Sequence, residues 1–559
     1  MPGKNQPFYT RFVKEELYDR EGNLVRIAFD VPENFNFAFD VVDQIAAEEP
    51  DRLAILWVND KGSEKRVTFA QLKEESDKAA SFFRSLGIGR GDSVILLLRS
   101  YCEYWYSYLA LHKLGAVAIP ATTTLQVKDM SYRIKAADIK AAVCIPGAIT
   151  ETVELSEREC GRELIKVIVD GERAGWHNFG KGLENAAPFT RPTGKDAPVS
   201  TDMALLFFTS GTTGMPKMVP HDQFYAIGNI TAAVHWQNLR DGDLFYTHAD
   251  TAWGKTAWSK MYAQWMSGAA QFIYDHDLRK FTAAALLRLI EKYKITVFCA
   301  PPTIYRMFIK EDLKSYDLSS LRYTATAGEA CNPKIYEDFM AACGGIPLKE
   351  AFGQTETIPI CFNQRGMEIK PGSMGRPNPY WDVDIVDDEG HSVDAGINGE
   401  IVIRVELDKR PYGFFMGYYK DDAINAEVFR DGLYHTGDVA WKDEDGYYWF
   451  VGRKDDIIKS SGYRIGPFEV ESVIIEHPAV MDCAVTGVPD EIRGQIVKAT
   501  IVLSKGYSPS QALASEIQTY VKNHTAPYKY PRVIEFVDSL PMTISNKIIR
   551  RELRKGSAE

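Results

Sequence analysis

Apolar runs that do not alternate with polar residues constrain this chain most. Val94–Leu98, Ala116–Pro120, Ala141–Ile145, Val167–Val169 and Ala204–Phe208 are apolar almost from end to end. A strand of that kind needs cover on both faces, which predicts a parallel sheet with helices on either side. The segments between them fit, as in the helical pattern of Glu103–Leu114. The rhythm resumes with a helix over Phe281–Tyr293, a strand over Thr296–Cys299 and a break at Pro301–Pro302. At 559 residues the chain exceeds the ~250–300 that one core supports, so several lobes are expected.

After residue 370 the texture changes. Acidic, glycine-bearing turns at Asp387–Gly390, Asp431–Gly432 and Asp443–Gly446 separate short strands such as Gly399–Arg404 and Tyr447–Val451. That pattern predicts antiparallel hairpins. Gly452–Asp456 is polar and has no hydrophobic stripe, which places a domain boundary there, with domains over 1–454 and 455–559. The last hundred residues predict a helix over Glu469–Glu476, strands over Met481–Val488 and Lys498–Leu503, and a helix over Pro509–His524.

Composition narrows the partners. A net charge of -11 argues against nucleic acid. Eight cysteines without a CxxC pair read as reduced thiols. The polar N-terminus has no signal-peptide core, no apolar run approaches the ~20 residues of a membrane span, and the C-terminus carries no peroxisomal signal. The expectation is a cytoplasmic protein without a membrane span, acting on small molecules.

Five motifs carry chemistry. The loop Thr209–Lys217 puts glycines and hydroxyls between a strand and a lysine, which suits a phosphate cradle. It lacks the G-x4-G-K-[ST] spacing of a Walker loop. Taken alone, such a run also serves as a flexible turn. In Phe352–Glu356, a threonine and a glutamate can hold a phosphate oxygen and Mg²⁺, while Phe352 can stack on a base. In Tyr434–Asp438, an aspartate on a tight turn can accept from both ribose hydroxyls. Gly452–Gly466 is too rich in glycine and charge for a core, and Leu540–Lys547 is a loop presenting one lysine.

In this order and spacing, the five resemble the adenylate-forming superfamily of acyl- and aryl-CoA synthetases, luciferases and adenylation domains, from about residue 40 to 554. Ser461–Pro467, Glu476–Val480, Ala526–Arg532 and Met218 look most like the medium-chain acyl-CoA synthetases. The resemblance implies an α/β fold. A large N-terminal domain would hold two αβ-layered parallel-sheet lobes and a β-rich lobe, followed by a small mobile α+β C-terminal domain. It implies an ATP-dependent acid:CoA ligase working through an acyl-adenylate, with ATP and CoA as co-substrates and Mg²⁺. The acid is expected to be short or medium in chain, branched or aromatic included.

By the same resemblance, Thr209, Ser210, Gly211, Thr212, Thr213, Gly214 and Lys217 wrap the β- and γ-phosphates of ATP. Gly328, Glu329, Ala330, Glu350, Ala351, Phe352, Gly353 and Gln354 form the nucleotide pocket. Thr355 contacts the α-phosphate, and Glu356 with Thr209 holds the metal. Asp438 and Arg453 bind the ribose, and Arg464 lies near the phosphate or thiol-side chemistry. Lys547 serves the first half-reaction. Asn546 precedes it where the family usually has glycine, and asparagine tolerates left-handed backbone. Lys454 or Asp455 is the hinge. Ser461, Gly462 and Tyr463 reach toward pantetheine, and Arg493, Lys522, Tyr530 and Arg532 meet the CoA nucleotide. Trp253, Lys255 and Trp258 fall in the acyl pocket. Two alternatives stay open: an adenylation enzyme that loads a carrier protein, and a nucleotide-binding homologue without catalysis.

Overall fold

A computed structural model describes residues 6–209, 215–276, 281–461, 463–542 and 548–555. Four main sheets organise it. The first has seven strands, in the order Lys217–Asp222, Met203–Thr209, Val117–Pro120, Ser93–Leu97, Ile139–Cys144, Ile165–Ile168, His177–Asn178. All pairs are parallel except the hairpin of Met203–Thr209 with Lys217–Asp222. Every residue of Ser93–Leu97 and of Val117–Pro120 is buried, as expected of strands covered on both faces.

The second sheet has nine strands. Its parallel centre runs Leu348–Gly353, Tyr323–Ala327, Val297–Ala300, Leu244–Thr247, Ala270–Asp275 and Leu53–Asn59. Between the two sheets lies the helix Cys102–Leu114, buried at every position but Glu103, so it has no polar face. Its interior ties to the second lobe are polar: Tyr104 Oη donates to Thr251 O and Trp105 Nε1 to Lys260 O.

The third sheet is antiparallel, with Val383–Val386, Gly399–Arg404, Leu433–Lys442 and Phe429–Arg430, and Tyr448–Arg453 paired to Leu433–Lys442. The fourth begins at Ile458–Ser460 and packs Pro467–Ile475 and Gln511–His524 on a core of its own. The expected architecture is therefore present: two layered αβ lobes, a β-rich lobe and a small α+β unit.

Several details differ from the sequence reading. Pro301–Pro302 starts a helix, Pro302–Phe308, because proline at the first helical position loses no hydrogen bond. The antiparallel pair Val13–Tyr18 and Leu24–Phe29 and the helix Tyr262–Met266 went unread. The helix is wholly buried, and a segment covered all round shows no period. Among the described residues no helix is long and apolar enough to cross a membrane.

Candidate nucleotide and acyl site

In an open parallel sheet, ligands bind beyond the carboxyl ends of the strands. Here Tyr323–Ala327 ends in Gly328–Ala330, and its neighbour Leu348–Gly353 ends in Gln354–Glu356. Gly328 has φ +108°, a region open to glycine. The turn is tied to the next strand from inside, since Cys331 N–H donates to Glu350 Oε1 at 3.0 Å.

Burial pushes the Glu350 carboxyl up to about 8, against the smaller lowering effect of the Cys331 bond. It is therefore protonated in the folded chain at pH values where the unfolded chain has ionised it. The folded state binds the extra proton, so stability falls as pH rises from the unfolded carboxylate range to about 8. Glu350→Gln keeps an oxygen for Cys331 and removes the titration. Its stability advantage over the parent is expected to widen by about 1–3 kcal/mol between pH 5 and pH 8, read by denaturant melts.

A polar junction joins the second and third sheets. Gln354 Nε2 donates to Asp438 Oδ2 at 2.6 Å and to Thr436 O at 2.8 Å, and Tyr434 Oη donates to Gln354 Oε1 at 2.9 Å. Asp438 pairs in register with Arg453, whose Nη1 lies 3.4 Å from Asp438 Oδ2 and donates to Thr436 O. Gly437 has φ +72°, left-handed backbone that favours glycine, and a Cβ there would stand 2.8 Å from the Arg453 guanidinium, which would have to shift. Gly437 N–H donates to Glu400 Oε1, and Gly437 O accepts from the backbone N–H of Lys454 at 2.8 Å.

A second junction reaches the glycine loop. Thr209 and Lys217 face each other in register and close the base of that hairpin. Lys217 Nζ lies 4.7 Å over the Tyr418 ring, and Tyr418 Oη donates to Glu356 Oε1 at 2.7 Å. His221 Nε2 donates to Thr355 O at 2.8 Å, and burial lowers this imidazole to about 3, so the ring stays neutral. Tyr418 and His221 were missed in the sequence, and Tyr434, though it opens the Tyr434–Asp438 motif, was given no role there. Each acts through a neighbour, and isolated tyrosines and histidines carry no spacing signal. Phe352 packs near Phe450, with ring centroids 6.0 Å apart, and Glu329 Oε2 accepts from Thr303 Oγ1.

The acyl segment lies beside this group. The helix Gly254–Ser259 follows Trp253, and a Cβ on Gly254 would stand 3.3 Å from the Thr355 methyl. Lys255 is buried, its Nζ donates to Ala327 O at 3.0 Å, and burial lowers its pKa. Trp258 is only 9% exposed and packs on Trp236 at 5.7 Å.

The residues expected on the CoA side all fall in the C-terminal unit, on its strands, its helix Gln511–His524 and the connections between them. Ser461 N–H donates to Arg493 O, and Arg493 Nη1 lies 3.3 Å from Ser461 Oγ. Tyr463 stacks on Tyr528 at 4.0 Å. Arg532 donates to Tyr530 Oη, and both Arg532 and Lys522 lie over the Tyr530 ring, at 4.8 and 5.8 Å. Arg464 turns to Asp388, 2.9 Å away, on the β-rich lobe. Lys454 Nζ is 3.1 Å from Glu400 and 3.3 Å from Asp388, and Asp455 lies 3.6 Å from Arg453. Ser210, Gly211, Thr212, Thr213, Gly214, Gly462 and Lys547 lie outside the described residues.

The family described as AMP-binding enzyme matches residues 42–419, and the AMP-binding enzyme C-terminal domain matches 469–547. The chain is 40% identical to the mitochondrial acyl-coenzyme A synthetase ACSM3 of Mus musculus, covering 94% of this chain and 91% of that protein. It is 41% identical to the mitochondrial acyl-coenzyme A synthetase ACSM5 of Homo sapiens, with the same coverage. Among solved structures, an anthranilate CoA ligase in complex with anthranoyl-AMP aligns with a TM-score of 0.85 at 30% identity, over 94% of this chain and 98% of that one. A benzoate CoA ligase from Burkholderia xenovorans aligns at 0.80 and 26%, over 93% and 100%. One expectation is corrected. The cytoplasmic assignment falls, because the acyl-coenzyme A synthetases ACSM3, ACSM4 and ACSM5, which match 94% of this chain, are named as mitochondrial proteins.

Proposed function

The chain belongs to the AMP-binding enzyme family, and from that premise we propose an ATP-dependent acid:CoA ligase that works through an acyl-adenylate. One observation carries the reading at the level of residues. Four separate stretches of sequence converge, Gln354 bonding Asp438 while Glu356 is linked through Tyr418 to Lys217. Measuring AMP formation over carboxylic acids of varied length and branching, with and without CoA, tests it. AMP released with a carrier protein but not with CoA favours the carrier-loading alternative.

In the first step the acid's carboxylate attacks the α-phosphorus in line, and pyrophosphate leaves. Two anions must meet, so positive charge around the phosphates matters most. Lys217 is set at the base of the glycine loop to hold the departing phosphates. Lys547 bridges the incoming carboxylate and the α-phosphate. Thr355 faces the α-phosphate, with its carbonyl fixed by neutral His221. Asp438, positioned by Gln354 and Arg453, accepts the ribose hydroxyls. The residues present fit a magnesium ion. The Glu356 carboxylate and the Thr209 hydroxyl are hard oxygen donors, and such an ion takes few protein ligands beside substrate phosphates. When bound it supplies charge neutralisation of the triphosphate.

In the second step the CoA thiol attacks the acyl-adenylate and AMP leaves. Lys547 has no part there, so the unit from residue 455 onward turns about Lys454–Asp455 and brings Ser461–Tyr463 to the thiol side. Arg493, Lys522, Tyr530 and Arg532 then meet the CoA nucleotide. The orientation described here leaves Ser461 and Tyr463 exposed to solvent, which favours the first step. Helix Pro467–Ile475 meets the residues after the nucleotide turn, with Asn332 Nδ2 donating to Ser472 O at 2.8 Å and Arg306 lying 3.4 Å from Asp482, while Arg464 is held on Asp388.

Trp258, with Trp253 and Lys255, shortens the acyl pocket in this reading, which favours short, branched or aromatic acids. Trp258→Ala is expected to raise kcat/KM for straight acids several carbons longer by about tenfold relative to the short ones. An unchanged chain-length profile removes Trp258 from the pocket.

A further inference from the structure

We propose that Asp388 is a positioning residue, a latch that holds the C-terminal unit in the orientation used for adenylation. The inference rests on the domain rotation proposed above and adds to it the group that restrains the turn.

Asp388 stands at the tip of a tight hairpin in the β-rich lobe. Asp387 Oδ1 accepts from the N–H groups of Glu389 and His391, and Asp387 N–H donates to His391 O, so the turn is fixed from within. Its two carboxylate oxygens serve two different cations. Oδ2 accepts from Arg464 at 2.9 Å, and Oδ1 lies 3.3 Å from Lys454 Nζ. These two cations hold its carboxyl below the usual carboxylate range. They stand on either side of the pivot. Lys454 is hydrogen bonded through its backbone to Gly437 and stays with the large domain, whereas Arg464 belongs to the strand Tyr463–Ile465 of the small sheet. Rotation about Lys454–Asp455 therefore parts Arg464 from Asp388 and leaves the Lys454 contact in place.

The latch is also wired to the nucleotide turn. Lys454 Nζ is 3.1 Å from Glu400 Oε2, and the other oxygen of Glu400 accepts from Gly437 N–H, next to Asp438. The series from Asp438 through Gly437, Glu400, Lys454 and Asp388 to Arg464 joins the ribose side of the site to the loop that must move. Exposed ion pairs are each weak, but two orientations that must both be visited in every turnover are close in energy. Losing the latch is expected to shift their ratio by about three- to tenfold.

The test uses full-length Asp388→Asn and measures the half-reactions separately. Acid-dependent pyrophosphate exchange reads the first, and thioester formation from supplied acyl-adenylate and CoA reads the second. The ratio of the first rate to the second is expected to fall about three- to tenfold at low salt and to approach the parent's at high salt, where the pair is screened. Asp388→Glu is expected to restore most of the ratio. Equal loss in both steps, or no change in the ratio, overturns the latch. Lys547→Ala run beside it keeps the two ideas apart. If that variant loses exchange and keeps thioester formation, a silent Asp388→Asn sinks the latch alone. If it retains exchange, or loses both steps, the rotation reading fails and the latch goes with it.

Discussion

Lys547→Ala is expected to lower acid-dependent pyrophosphate exchange by about 10²–10³-fold while leaving thioester formation from supplied acyl-adenylate within about threefold of the parent. The asymmetry follows from charge. Attack of a carboxylate on a phosphate ester brings two anions together, and a fixed cation between them acts where the charge develops. The thiol step begins with a neutral acyl carbonyl and an already formed adenylate, so the same cation has little left to do. An equal loss in both half-reactions refutes this division of labour. Lys547→Arg is expected to recover little, because a planar fork does not replace a compact ammonium between two closely spaced oxygens.

Glu356→Gln is the second large effect. It is expected to cut adenylation by about 10²-fold and to raise the magnesium concentration needed for half-maximal rate. The side chain stays the same size, and Tyr418 Oη still finds an acceptor oxygen 2.7 Å away in the parent geometry. Folding is therefore expected to hold, with a melting temperature within a few degrees of the parent. Tyr418→Phe separates positioning from ligation. It removes the hydrogen bond and leaves the carboxylate, so the expected loss is near tenfold, with a smaller change in magnesium dependence. A magnesium titration that Glu356→Gln does not move assigns Glu356 to phosphate positioning alone.

The layered architecture was legible because its strands are apolar on both faces and recur between helical segments. Ser93–Leu97 and Val117–Pro120 lie where the unbroken runs put them. Hairpins such as Leu433–Lys442 with Tyr448–Arg453 were announced by their acidic glycine turns, here Asp443–Gly446. The N-terminal pair Val13–Tyr18 and Leu24–Phe29 was not, since half of its residues are exposed and its alternation is weak.

At the site, sequence motifs named the residues proposed to meet a ligand but not the ones that hold them. Gln354 fell inside a recognised motif, yet its bonds to Asp438 and Tyr434 cross about eighty positions of chain. Tyr418 and His221 lie in no motif, and their roles exist only once the lobes are folded together. Arg464 shows the converse. Its motif suggested phosphate or thiol-side chemistry, and in this orientation its guanidinium is placed on Asp388 by the packing of the small sheet, which no local pattern encodes.

The backbone bond from Lys454 to Gly437 has one more consequence. The axle of the moving unit is fastened to the wall beside Asp438, not to the unit that turns. In the proposed cycle the bound adenylate is thus the stationary frame, and two different tools are carried past it in sequence. The intermediate need not be passed between sites or released to solvent. A labelled acyl-adenylate formed in place is expected to go to thioester without mixing with unlabelled adenylate added outside.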